Sequence, residues 1–262
     1  MNPNRHTQLF SLEGRVAIVT GATRGIGRSI AEGFVDAGAS VVVVSRKSAA
    51  VDETVQALRQ RGGTTLGVAA LGVAAHLGDL DDIARIVADT VAAFGRIDIV
   101  VNNAATALTQ PLGSLTADAW AKVNDVNLRG PVFLVEAALP YLAVSPHASV
   151  INVISAGAYL ATPAAAMYAS TKSGLLSFTR TMAADFASRG IRVNALAPGT
   201  VETDMVTNNT PEAQQRMAQA CSMKRMAHPD EMIGPVLFLA SDASSYVTGQ
   251  VIIADGGLVA AR

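Results

Sequence analysis

Tyr168 and Lys172 stand four residues apart in the run Tyr168-Ala-Ser-Thr-Lys172, and Ser155 lies upstream. On a helix that spacing stacks the phenol and the ammonium on one face. A nearby positive charge favours the phenolate. An isolated phenol titrates near ~10, so it needs such help to exchange protons at neutral pH. At the other end of the chain, Thr20-Gly-Ala-Thr-Arg-Gly-Ile-Gly27 has the make-up of a phosphate-cradling turn. Gly21 permits the tight turn, while Gly25 and Gly27 let backbone approach a pyrophosphate. A helix beginning there faces the phosphates with unpaired N–H groups and a favourable dipole.

The elements that must position these groups are also readable. Short β-branched runs at Val16–Thr20, Val41–Val44, Ile97–Val101, Val150–Ile154, Arg192–Ala195 and Val251–Ile253 alternate with helical stretches. Val41-Val-Val-Val44 is apolar on successive residues, as in a strand buried on both faces of a parallel sheet. The helical stretches include Arg28–Ala37, Asp82–Phe94, Ala117–Leu142 and Ala164–Ser188. This alternation predicts βαβ units with helices on both faces of the sheet. No linker or charge run divides residues 1–262, so a single domain is expected, with residues 1–11 as an N-terminal extension. Leu66-Gly-Val-Ala-Ala70 is repeated at once as Leu71-Gly-Val-Ala-Ala75. One copy suffices for the strand leading to His76, so the other is expected to form a bulge or longer loop before it.

Composition narrows the partners. The net charge of -1 offers nothing that favours nucleic acid or an anionic membrane surface. No apolar run reaches the ~18–20 residues of a membrane span, and residues 1–10 lack the apolar core of a signal peptide. Cys221 is the one cysteine, so no intrachain disulfide forms. That fits a reducing, cytoplasmic setting.

Taken together, Thr20–Gly27, Asn102-Asn-Ala104, Asn127, Ser155, Tyr168–Lys172, Pro198-Gly199 and Asp255-Gly-Gly257 resemble the short-chain dehydrogenase/reductase family. Within it, the chain is most similar to β-ketoacyl-carrier-protein reductases and related secondary-alcohol dehydrogenases. The resemblance runs from about Leu12 to Gly257. It implies a Rossmann-like, doubly wound, seven-stranded parallel sheet and a nicotinamide cofactor. It assigns Tyr168 as the acid or base, Lys172 as the group that lowers its pKa and binds the nicotinamide ribose, and Ser155 as a donor to the substrate oxygen. Asn127 is implied to hold a water of the proton relay.

For the cofactor, the resemblance implies contacts from Gly21, Thr23, Arg24, Gly25, Ile26 and Gly27. His76 and Leu77 are expected to flank the adenine, although many relatives carry an acid or amide where His76 stands. Asn103 is placed near the adenine ribose and Ala104 against the cofactor. Ala105 departs from the usual Asn-Asn-Ala-Gly pattern. Pro198 and Gly199 turn the chain, Val201 and Thr203 are implied to touch the nicotinamide carboxamide, and residues 204–223 to form a substrate lid.

The second strand is followed by Ser45 and Arg46, with no carboxylate to hold a ribose 2′-hydroxyl. A guanidinium at that point suits a 2′-phosphate, and Arg24 offers a second positive charge. The expected cofactor is therefore NADP(H) in preference to NAD(H). The expected activity is carbonyl/secondary-alcohol interconversion. The alternatives are an NAD-linked alcohol or sugar dehydrogenase and a catalytically idle nucleotide-binding regulator. Apolar surplus on the long helices, together with the resemblance, points to a homotetramer.

Overall fold

The computed structural model describes residues 8–62, 69–162 and 165–260. Seven strands run parallel in one sheet: β1 (Val16–Thr20), β2 (Ser40–Ser45), β3 (Ala70–Ala74), β4 (Ile99–Asn102), β5 (Ser149–Val153), β6 (Arg192–Pro198) and β7 (Val251–Ala254). Their order across the sheet is β3-β2-β1-β4-β5-β6-β7. The chain thus winds outward from β1 in one direction, then returns and winds outward from β4 in the other. The expected doubly wound fold is what forms.

The five inner strands β1, β2, β4, β5 and β6 are buried on both faces, which explains their unbroken apolar runs, while the edge strands β3 and β7 are partly exposed. Val41 and Val43 of β2 join Ala17 and Val19 of β1 in one core, against Ile30 and Phe34 of helix α1 (Gly25–Asp36). Helices α2 (Ser48–Gly62) and α9 (Ile233–Ala240) complete that layer. Val42 and Val44 join Ile18 in the opposite core, beneath α3 (Leu80–Phe94), α5 (Gly130–Leu142) and α6 (Ala166–Phe186). Between them α4 (Ala117–Asn124) leads towards α5, and α7 (Asp204–Thr207) and α8 (Pro211–Ala220) follow β6.

Local chemistry sets several boundaries. Asp79 caps α3 by accepting from Asp81 N–H, and Gly95 ends it in the left-handed region at φ 71°. Thr116 caps α4 through Ala119 N–H. The stretch expected as one helix over Ala117–Leu142 is interrupted by a π-helical turn at Asp125–Arg129. Pro131 follows at the first turn of α5, where a missing N–H is tolerated.

The repeated pentapeptide is divided. Leu71–Ala74 of the second copy pair with Val42–Ser45 of β2, and Ala70 from the first copy pairs with Val41. The expectation that the first copy lies wholly before the strand is corrected at this residue, which is 4% exposed. Its residues 66–68 lie outside the described residues. Deleting Leu66–Ala70 places Thr65 at the head of β3 and preserves Leu71–Ala75 in register. A folded protein destabilised by no more than ~2 kcal/mol in urea titration is expected, since shortening the preceding connection costs little closure entropy and one hydroxyl at a strand end is a modest polar burden. Failure to fold would contradict this.

Candidate active site

All seven strands end at the same edge of the sheet, and the strand order reverses between β1 and β4. Ligands of open α/β sheets bind at that place. A cavity of about 380 Å³ opens there. Every expected cofactor-binding residue lines it: Gly21 to Gly27 without Ala22, Ser45 and Arg46 at the end of β2, His76 and Leu77 after β3, Asn103 and Ala104 after β4, Tyr168 and Lys172 of α6, and Pro198, Gly199, Val201 and Thr203 at and after the end of β6. Ser155, Tyr168 and Lys172 line the same cavity.

The glycine turn is braced from beneath. Asn103 Nδ2 donates to Thr20 O at 2.8 Å and to Gly21 O at 3.3 Å. Thr20 Oγ1 accepts from the N–H groups of Asn103 and Ala104, each at 3.0 Å. The Asn103 amide expected at a ribose is thus committed to the turn. A side chain at Gly27 would collide with that amide and with Gly21 O, both at 2.3 Å, so glycine is obligatory there. Helix α1 begins with no side-chain cap and no acidic residue in its first turn. Its orphan N–H groups and dipole fit a pyrophosphate.

The two arginines are in different states. Arg24 is paired with Asp204 of α7 at 2.5 Å, both side chains exposed. Arg46 makes no ion pair among the described residues and stands exposed at the end of β2. Lys122 of α4 also lines the cavity, as do Thr106, Val126 and Val153. Sequence reasoning missed these, because their approach depends on how α4 and β5 pack. Met205 and Met217 line the cavity, whereas Met223 does not and is 61% exposed.

Lys172 is the most constrained group. It is 2% exposed, and its Nζ donates to Val153 O at 2.7 Å. It lies 5.6 Å from the centre of the Tyr168 ring. Burial without a carboxylate partner lowers its pKa to about 8. Burial likewise raises the Tyr168 phenol above its ordinary value, and the hydrogen bond with Ser155 only partly offsets this. Desolvation of the phenol thus outweighs the help it receives, the reverse of the lowering expected from Lys172. Ser155 Oγ accepts from Gly157 N–H at 3.0 Å, which leaves its own proton to donate.

Asn127 stands apart from these three. It does not line the cavity but lies fully buried behind it, in the π-helical turn. Its side chain accepts from Thr106 N–H and donates to Thr106 O, each at 2.8 Å, and donates to Thr171 Oγ1 at 3.3 Å. In a regular helix the N–H of residue 131 would satisfy the Asn127 carbonyl. Pro131 has none to give.

Fold and site define a nucleotide-dependent oxidoreductase of the doubly wound class, and the comparisons agree. A family model described as enoyl-(acyl carrier protein) reductase matches residues 21–259. The chain is 37% identical to dehydrogenase/reductase SDR family member 4 of Caenorhabditis elegans, over 95% of this chain and 96% of that protein. It is 35% identical to a 3-oxoacyl-[acyl-carrier-protein] reductase of Synechocystis, over 96% and 99%. The crystal structure of a gluconate 5-dehydrogenase from Burkholderia cenocepacia, in complex with NADP and tartrate, superposes with a TM-score of 0.90 at 32% identity, covering 98% of this chain and 99% of that one. The chain belongs to the short-chain dehydrogenase/reductase family and is an oxidoreductase. Among the described residues no helix is long and apolar enough to cross a membrane, and no three His, Cys, Asp or Glu side chains cluster as metal ligands.

The buried lysine has a thermodynamic consequence. Between its lowered pKa of about 8 and the ordinary 10.5, the unfolded chain binds more protons at this site than the folded one. Stability from this group therefore rises with pH across that window, by at most ~1.4 kcal/mol per pH unit. Lys172→Met should remove this rise and be relatively more stable at pH 7. Denaturant unfolding of both proteins from pH 7 to 10 checks it; parallel pH profiles would contradict it.

Proposed function

We propose that the protein reduces ketones to secondary alcohols reversibly, with NADP(H) preferred to NAD(H). One cavity wall carries this reading: Ser155 after β5 and Tyr168 and Lys172 of α6 meet beside the glycine turn that begins α1. Each alone is an ordinary residue, and their convergence on one side of a nucleotide-shaped cleft is not expected of a structural role. The uncapped start of α1 holds the pyrophosphate, and Arg46 holds the 2′-phosphate through charge-assisted contacts. Arg24 contributes less, because Asp204 already holds it. When bound, the nicotinamide supplies or accepts the hydride.

The chain's own groups manage the proton. A phenol held above its ordinary pKa is protonated at neutral pH, which makes Tyr168 a general acid towards a substrate carbonyl. Ser155 donates its hydroxyl proton to the same oxygen as charge builds there. The ammonium of Lys172 stabilises the phenolate left behind. The Asn127 side chain is taken up by Thr106 and Thr171, so a relay water would be held at its main-chain carbonyl. Ala105, Val126, Met205 and Met217 give the substrate end an apolar lining, which suits an acyl-bearing or apolar ketone. The likeness to a gluconate 5-dehydrogenase favours a second reading, oxidation of a sugar-derived alcohol. Lys122 is the cation on the wall that an acidic substrate of that kind would use.

The long helices support self-association, though less broadly than expected. Leu134, Val135, Leu175 and Leu176 face the core. Trp120, Phe133 and Phe178 are left half exposed, at 49%, 45% and 41%. Tyr246 and Ile253 are also exposed, near the last strand. A tetramer with two-fold axes would cover these faces.

Three outcomes are expected. NADPH should bind more tightly than NADH, and Arg46→Ala should erode that preference by roughly ten-fold; equal affinities in the unsubstituted protein would contradict the cofactor choice. Tyr168→Phe should retain the fold while turnover with a ketone falls at least ~100-fold, and near-normal turnover would refute the assignment. Light scattering should give a multiple of the 27.0 kDa chain mass, whereas a monomer would remove the oligomer from the account.

A further inference from the structure

The segment after β6 that carries α7 and α8 is fastened to the rest of the protein at few points. Neither helix buries a residue. At its far end, Met223 N–H donates to Gly256 O and Ser222 Oγ donates to Gly257 O, each at 3.0 Å. At its near end, the Thr203 methyl packs on the glycine turn, where a side chain at Gly25 would come within 2.9 Å of it. Among the described residues, 204–221 make one hydrogen bond to a part of the chain outside 200–224. Its donor is Arg24 Nη1 and its acceptor Asp204 Oδ2, at 2.5 Å. The polar tie of this segment therefore ends on the glycine turn, and both of its residues line the cavity.

Exposure sets how firm that tie is. The Arg24 side chain is 71% exposed and that of Asp204 56%. Ion pairs so open to water contribute little and are readily exchanged. A guanidinium makes a stronger, charge-assisted contact with a phosphate. The dinucleotide assigned to this cavity brings phosphates to the turn on which Arg24 stands. While Asp204 is in contact, its charge offsets that of Arg24 and lessens the attraction for an arriving anion.

We infer that Asp204 is a determinant of nucleotide affinity: it holds Arg24 in the free protein and yields it to a nucleotide phosphate, so that seating the nucleotide undoes the tie. This rests on the cofactor reading above. The tie and the nucleotide are then alternatives at one guanidinium, and each weakens the other. Asp204 opens α7, which also carries Met205 and Val206 of the cavity wall. Release of the carboxylate thus frees the substrate end of the cavity once the nucleotide is in place.

The test is a mutant cycle read by NADPH fluorescence titration of the full chain. Asp204→Asn should tighten binding about three-fold, because Arg24 no longer has to be taken from a carboxylate. In the Arg24→Gln background the same substitution should leave affinity nearly unchanged. Gains of equal size in both backgrounds would show Asp204 acting on the phosphates directly and would overturn the exchange at Arg24. Affinity unchanged or weakened by Asp204→Asn in the unsubstituted background would also overturn it, since the pair would then persist in the complex. Hydrogen exchange over 204–221, followed by mass spectrometry without nucleotide, reads the tie itself. Asp204→Asn and Arg24→Gln should each speed it, and rates unmoved by both would overturn the tie. A chain that binds neither NADPH nor NADH would overturn the cofactor reading and this inference with it, whereas nucleotide binding with a failed cycle overturns the inference alone.

Discussion

Lys172 Nζ is bonded to the Val153 carbonyl at 2.7 Å, in a place where no carboxylate can neutralise it. Much of the site's geometry follows from keeping an ammonium there. Val153 is the last residue of β5, so the lysine reaches from α6 across the end of the sheet to a strand terminus. A carbonyl satisfies a proton of the ammonium without cancelling its charge. The charge therefore remains available to the phenol 5.6 Å away. The cost is a pKa lowered to about 8, so at neutral pH the group sits within reach of its titration. An active-site lysine has use for that condition, whereas a purely structural one would be more stable replaced by an apolar side chain.

The surrounding fold holds this arrangement in place by internal bonds. Asn127 clamps the loop after β4 through both ends of its amide, and its third contact is Thr171, the residue before Lys172. Thr20 and Asn103 fasten the glycine turn to the same loop. The glycine turn and the helix that carries Lys172 thus share one connection, the segment Asn103–Thr106. The π-helical turn at Asp125–Arg129 is what aims Asn127 inward at this segment. Such turns are rare within helices and frequently lie at functional sites.

The strand positions were legible because parallel strands buried on both faces need continuous β-branched runs, and Val41–Val44 could be little else. The glycine turn was legible for a related reason: positions such as Gly27 admit no side chain. Tyr168 and Lys172 were legible as a pair through helical spacing, whereas Asn127 and the cofactor contacts came through family resemblance. The π turn was not, since nothing in Asp125–Arg129 differs from ordinary helical sequence. The commitment of Asn103 to the turn and of Arg24 to Asp204 also escaped, because each depends on a partner more than 80 residues away. The sign of the Tyr168 shift was misjudged for a physical reason. Spacing reveals a neighbouring charge, but burial is a property of the packed whole.

The account stands most directly on the state of that phenol. Ultraviolet difference titration of the free protein against Tyr168→Phe isolates one of the four tyrosines. Ionisation only above the ordinary value of 10.0 is expected, because desolvation outweighs the help from Ser155. A phenolate signal already present near pH 7 would contradict the balance of burial and charge described for this site.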